Sequence, residues 1–217
     1  MHRTLTLLLT ALFLVSILIS GCSKDSDTPG GDPTPMGTVG NQFTGYLTGV
    51  SNFNAIVSAS DGGISTINVT GTITDPVIRD IIPFLNSNTI GTVDPATGNF
   101  SYTLKVKFTD KGVVDYYGSD GKPSTLVSYD AKAGDSYKCK NAEGGSFTRS
   151  VTARSDVDDY PYGFMLIKTI TIEEPASNPA VTKVTYRANH RFGIVNITAV
   201  LQDGTTLSFP VYSTNEN

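Results

Sequence analysis

Three aspartates stand within four positions of the segment SDVDDYPYG (155–163): Asp156, Asp158 and Asp159. Hard cations such as calcium draw several oxygen ligands from one flexible loop, so these carboxylates are the candidate cation ligands of the chain. The segment departs from the calcium-loop pattern, because Asp159 is followed by Tyr160 rather than a turn glycine and no glutamate stands six residues on. A solvated acidic loop is the competing reading. Tyr160 and Tyr162, with Tyr116 and Tyr117, offer aromatic faces to sugar rings, although the chain has no tryptophan. His190 is the other candidate ligand-binding residue. In VTYRANHRF, strand parity places Val184, Tyr186, Ala188, His190 and Phe192 on one face and Thr185, Arg187, Asn189 and Arg191 on the other. An inward imidazole is then either a hydrogen-bonded core group or a residue facing a ligand cavity.

Motifs for catalysis are missing. The sequence holds no G-x-S-x-G elbow, no H-E-x-x-H, no paired-cysteine metal spacing and no G-x-x-x-x-G-K. Ser119 and Lys122 match S-x-x-K by letter, but Asp120-Gly121 between them make a turn rather than the helix that would converge the two side chains. With His190 the sole histidine after His2, any histidine-based zinc site or serine triad would depend on it alone. Carboxylate-only glycosidase chemistry stays open, since its two acids are brought together by folding and not by spacing in sequence. No cofactor is implied, calcium at the acidic loop apart.

The start of the chain has another purpose. Arg3 precedes an almost unbroken apolar run from Leu5 to Ile19, and Ser20 and Gly21 follow. This is the layout of a secretory signal peptide rather than a membrane-spanning helix. It ends in Ile19-Ser20-Gly21-Cys22, which resembles the lipobox of bacterial lipoproteins. The resemblance implies that residues 1–21 are removed and that Cys22 carries acyl chains at the new amino terminus. Two or three chains hold a protein on a membrane durably, whereas one gives only reversible binding. The alternative, a disulfide between Cys22 and Cys139, is incompatible with a thioether at Cys22. Ser23-Lys24-Asp25-Ser26-Asp27 looks like the surface-export tags of Bacteroidota lipoproteins, which implies the outer membrane with the protein on its extracellular face rather than in the periplasm.

Residues 23–40, rich in proline and glycine, read as a disordered tether, with an end-to-end distance of about 25 Å as a flexible coil. Residues 41–217 form the globular part. Removal of residues 1–21 takes away Arg3 and no acid, so the formal charge moves from -4 to -5. A mildly acidic chain without a basic block has no electrostatic footprint for nucleic acid.

The globular part reads as all-β, an antiparallel sandwich or barrel-like domain. FSYTLKVKF (100–108) alternates without error, with Phe100, Tyr102, Leu104, Val106 and Phe108 on one face and Ser101, Thr103, Lys105 and Lys107 on the other. Further β-rich runs lie at 43–50, 53–59, 64–74, 88–94, 113–117, 125–129, 147–154, 164–173, 181–192, 194–201 and 205–212, separated by glycine-rich turns. A boundary between two halves falls near 118–124. One short capping helix is expected: Asp75 is a good N-cap, Pro76 suits the first helical position, and Val77, Ile78, Ile81 and Ile82 form a stripe that Pro83 ends. It either plugs one end of the β structure or covers a cavity as a lid. Cys139, sharing parity with Tyr137 in SYKCK, is expected to point inward and stay unreactive.

Two hairpin registers follow from matching apolar partners. A three-residue loop Gln202-Asp203-Gly204 pairs Leu201 with Thr205, Ala199 with Leu207, Ile197 with Phe209 and Val195 with Val211, with Gly204 in the left-handed position. The same rule at Asp110-Lys111-Gly112 pairs Phe108 with Val114 and Val106 with Tyr116. In its second half, from AGDSYKC through RSVTARS to ANHRFGIVNITAVLQDGTTL, the layout is similar to that of uncharacterised exported β proteins of Bacteroidota, a resemblance that brings no activity with it. Two functions remain in view. One is a non-catalytic envelope lipoprotein that binds or scaffolds a glycan, an envelope protein or a small ligand. The other is a carboxylate-dependent glycan-active enzyme.

Overall fold

The computed structural model describes residues 28–76, 78–79, 90–116, 121–140, 144–176 and 179–216. Residues 1–27, with Cys22 and the expected signal peptide, lie outside them. The strands are β1 (Gln42–Gly45), β2 (Val50–Asp61), β3 (Ile64–Ile73), β4 (Ile90–Val93), β5 (Asn99–Thr109), β6 (Gly112–Asp115), β7 (Ser124–Ser128) and β8 (Ser136–Lys140). They continue as β9 (Ser146–Arg154), β10 (Tyr160–Tyr162), β11 (Met165–Ile167), β12 (Ile170–Pro175), β13 (Val181–Asn189), β14 (Gly193–Leu201) and β15 (Thr206–Ser213). All pairings are antiparallel, in the order β7-β6-β5-β3-β2-β1-β15-β14-β13-β12-β9-β8, with β4 added on β5 and β10-β11 forming a separate hairpin. The two end strands, β7 and β8, lie side by side without pairing. The sheet therefore rolls into a nearly closed barrel, and the sandwich alternative falls. Within the sheet, β1–β7 adjoin one another and β8, β9 and β12–β15 adjoin one another, the two sets meeting where β1 pairs with β15.

Parity governs which side chains fill the interior. Phe100, Tyr102, Val106 and Phe108 on β5 are buried, as their alternation requires. The hairpin between β14 and β15 has the expected register: Ala199 pairs with Leu207 and Ile197 with Phe209, the Leu201 amide donates to the Thr205 carbonyl at 2.8 Å, and Gly204 has φ 86°. The paired residues end at Asn196 and Pro210, so the expected Val195–Val211 pair is not among them; Val195, passed over where the register of β13 against β14 shifts, packs with Phe192, Tyr162 and Ile167.

The hairpin between β5 and β6 corrects the reading. Phe108 pairs with Val113 and Val106 with Asp115, across a two-residue loop, Asp110-Lys111. Thr109, wholly buried, sets this geometry. Its hydroxyl accepts from the Lys111 and Gly112 amides (3.2 and 3.0 Å) and donates to the Gly112 carbonyl (3.0 Å), closing the turn one residue early.

Residues 28–40, expected as part of a disordered tether, take a defined course. From residue 28 on, the chain packs against the barrel: Pro33 bridges to Thr109, the Asp32 amide donates to Asp110, and a 3-10 turn at Pro35–Gly37 inserts Met36 into the interior. Met36 is fully buried. Asn41, also buried, holds the turn by donating to the Met36 carbonyl at 2.7 Å and to Ser213 Oγ at 3.0 Å. Composition hid this because one large apolar side chain among prolines and glycines is enough to dock a segment whose amides find partners. Of the expected capping helix, Pro76, Ile78 and Arg79 are helical, and the Ile78 amide donates to Asp75 Oδ1 as an N-cap requires (3.3 Å). Ile78 packs with Ile73, Phe100 and Tyr102 at the end of the barrel opposite Met36. Residues 77 and 80–89 lie outside the described residues.

Candidate functional site

The sequence-predicted site residues do not come together. His190 is exposed in the turn after β13, which corrects its expected inward orientation. Val184, Tyr186 and Ala188 keep the inward parity, but Asn189 ends the strand: its Oδ1 accepts from the Arg191 and Phe192 amides at 2.8 and 3.2 Å, so His190 rides on a side-chain-capped turn. Tyr162 is buried, donates to the Val211 carbonyl at 3.1 Å and packs on Phe192 and Tyr212 with ring centroids 4.8 and 4.9 Å apart. Tyr160 lies under the Arg187 guanidinium at 4.7 Å. Neither ring is a free platform for a sugar. Asp156 pairs with Arg154 (3.0 Å) and Asp159 accepts from Ser155 Oγ (2.7 Å), while Asp158 is exposed. Among the described residues no three acidic, histidine or cysteine side chains converge as cation ligands.

The site that the fold builds is inside the barrel. A sheet of this many strands encloses more space than its inward side chains fill. The result is a cavity of about 340 Å³. Its wall is apolar over most strands, with Phe53 from β2, Ile67 and Val69 from β3, Leu104 from β5 and Phe209 from β15. Among the described lining residues only Arg149 and Glu174 are charged.

These two sit in one buried cluster beside the seam between β7 and β8. Arg149 Nε donates to Glu174 Oε2 at 2.7 Å, Nη1 donates to the Thr125 carbonyl at 3.0 Å, and the guanidinium pairs with Asp115. Tyr186 Oη donates to the other Glu174 oxygen at 2.7 Å. Arg149 and Asp115 are almost fully enclosed, whereas the Glu174 side chain keeps 15% of its surface open. Burial opposes the charge on Arg149, but Asp115 and Glu174 outweigh it and hold the guanidinium protonated, with its pKa raised. Of the two carboxylates that pair with Arg149, Glu174 is the one with an open side.

Cys139 is buried next to this cluster, as its parity with Tyr137 implied. Burial pushes its thiol up to about 11, against the pull of Arg149, so it is protonated and inert at neutral pH. The Arg149–Asp115–Glu174–Tyr186 cluster was missed at the sequence level although a signal existed. Arg149 shares the apolar parity of Phe147 and Val151, and Glu174 that of Ile170 and Ile172. Two opposite charges on the inward faces of strands were the mark of an interior polar site. In comparison with known proteins, no family model matches the chain, and neither does any curated protein or solved structure.

Proposed function

We propose that this chain is a non-catalytic envelope lipoprotein, held through Cys22 on the extracellular face of the outer membrane, whose barrel binds a small apolar molecule. The observation that carries the binding role is the 340 Å³ cavity, which lies within the size range of small-molecule sites and is apolar apart from one polar locus. That locus sets the ligand's head group. A carboxylate on the ligand would meet the carboxylate of Glu174, whereas a hydroxyl or ammonium would donate to it. The ligand class is therefore an apolar body with a hydrogen-bond-donating head. The glycan-hydrolase alternative fits less well, because a glycosidase needs two carboxylates bracketing an open cleft. Here Asp115 and Glu174 are both tied to Arg149, and Asp115 is enclosed.

The test is displacement of the neutral fluorophore N-phenyl-1-naphthylamine by decan-1-ol, decylamine and decanoate. The first two should displace it at lower concentration than decanoate, and Glu174→Gln should remove that preference while Ala199→Phe, which fills the cavity wall, should weaken all three. Absence of fluorophore binding, or decanoate as the strongest competitor, would reject the proposal.

A further inference from the structure

The hairpin β10-β11 leaves apolar side chains in water. Its turn is Gly163-Phe164, with Gly163 at φ 57° and Tyr162 paired with Met165. Phe164 at the tip is fully exposed, and Val157, Met165 and Leu166 are about half exposed. One face is accounted for, since Tyr162 and Ile167 pack on Phe192 and Val195. The other is not. Pro161 pairs with Leu166 across the hairpin, and that outward face, where an ordinary surface hairpin carries polar residues, is apolar.

Position says what meets it. The hairpin leaves the C-terminal end of β9 and returns to the N-terminal end of β12, and the antiparallel order puts these at the same barrel end as the β5-β6 turn. The first described residues dock on that turn: Asp32 and Pro33 at Asp110 and Thr109, and Pro29 beside Gly112. Only six peptide steps separate Thr28 from Cys22, a reach of at most about 22 Å. An acyl anchor at Cys22 holds this barrel end, and no other, against the bilayer.

We infer that the Phe164 hairpin is a second membrane contact, dipping into the lipid interface beside the acyl anchor and seating the Met36-plugged end of the barrel on the bilayer. The inference rests on the reading of Cys22 as the attachment point. Charge does not select the occupant, since Lys168, Arg187 and Arg191 at this end stand among Asp156, Asp158 and Asp159. Apolar contact and the short tether do.

The absence of tryptophan makes a clean experiment. The chain from Cys22 onward, which contains every described strand, is coupled through its Cys22 thiol to a maleimide-bearing lipid in phosphatidylethanolamine–phosphatidylglycerol vesicles. Cys139, buried with a raised pKa, does not compete. In Phe164→Trp the single tryptophan should shift its emission to the blue on coupling and lose intensity as acyl-brominated lipid replaces ordinary lipid. A tryptophan at the exposed position 140, Lys140→Trp, at the far end of β8, should do neither. Emission at position 164 unchanged from buffer in the coupled protein overturns the inference, as does a blue shift that needs no vesicles and grows with protein concentration, which would mean self-association. Because coupling supplies the anchor chemically, these outcomes do not depend on cellular acylation, which membrane fractionation of Cys22→Ser tests separately.

Discussion

Arg149 does two jobs with one planar group. It neutralises charge in the interior, and through the Thr125 carbonyl it fastens the edge of β7, a strand that among the described residues pairs only with β6. The net worth of a buried ion pair is small, but removing one partner strands the other. Arg149→Met should therefore cost about 3–5 kcal/mol, because the buried Asp115 and the partly buried Glu174 both lose the guanidinium that pairs with them. Arg149→Lys should recover little, since an ammonium cannot present the fork that reaches Glu174, Thr125 and Asp115 together. Arg149→Met with Asp115→Leu should restore part of the loss, as an apolar pair replaces an ionic one. Urea unfolding at neutral pH measures all three, and a single-variant loss below about 1 kcal/mol would mean the cluster is not the fastening described.

Among elements, the 3-10 turn at Pro35–Gly37 has the largest consequence for its size. Met36→Ala empties a fully buried site between the barrel wall and Gly193, and should cost about 2–5 kcal/mol. Limited proteolysis should then cut within residues 28–40 before it cuts the strands; equal resistance of this segment in the variant and the parent would show that Met36 does not hold it. The contrast between two hairpins explains what the sequence makes legible. At Gln202-Asp203-Gly204 apolar matching and turn chemistry agree, and Gly204 takes the left-handed conformation that its loop length demands. At Asp110-Lys111-Gly112 apolar matching favours a longer loop, but Thr109 closes the turn with three hydrogen bonds of its own, and Gly112 is needed for close approach: a Cβ there would lie 2.2 Å from the Val127 carbonyl oxygen. The one-residue slip put Tyr116 opposite Val106 where the fold puts Asp115. Strand type and inward parity, including that of Arg149 and Glu174, were thus readable, whereas the place of Asp115 in the polar site depended on a register decided by a threonine side chain. His190 failed for a related reason, since alternation says which face a residue takes only while the strand lasts, and Asn189 ends it.

At the scale of the whole molecule, the barrel keeps ionisable side chains protonated inside it, and this makes its stability depend on alkaline pH. Cys139 has its pKa raised by burial to about 11, and Tyr137 and Tyr162 are likewise each pushed up by burial to about 12. In the unfolded chain the thiol titrates near 8.5 and the phenols near 10. Between those values and the folded ones, the native state holds protons that the unfolded state has released, so stability is full below about pH 8.5 and falls as pH climbs through 11 and 12. The thiol alone accounts for roughly 3 kcal/mol, at about 1.4 kcal/mol per pH unit of separation. Arg149 stays charged across this window, because its pKa is raised, and so loss of its charge is not the source. Urea midpoints between pH 7 and 12 should fall from about pH 9 onward. In Cys139→Ala the segment of that curve between pH 9 and 11 should be flatter than in the parent, whatever the variant loses at neutral pH by its smaller side chain. Parallel curves over this interval would show that the thiol is not held protonated by the fold, and with it that the seam between β7 and β8 is open to water.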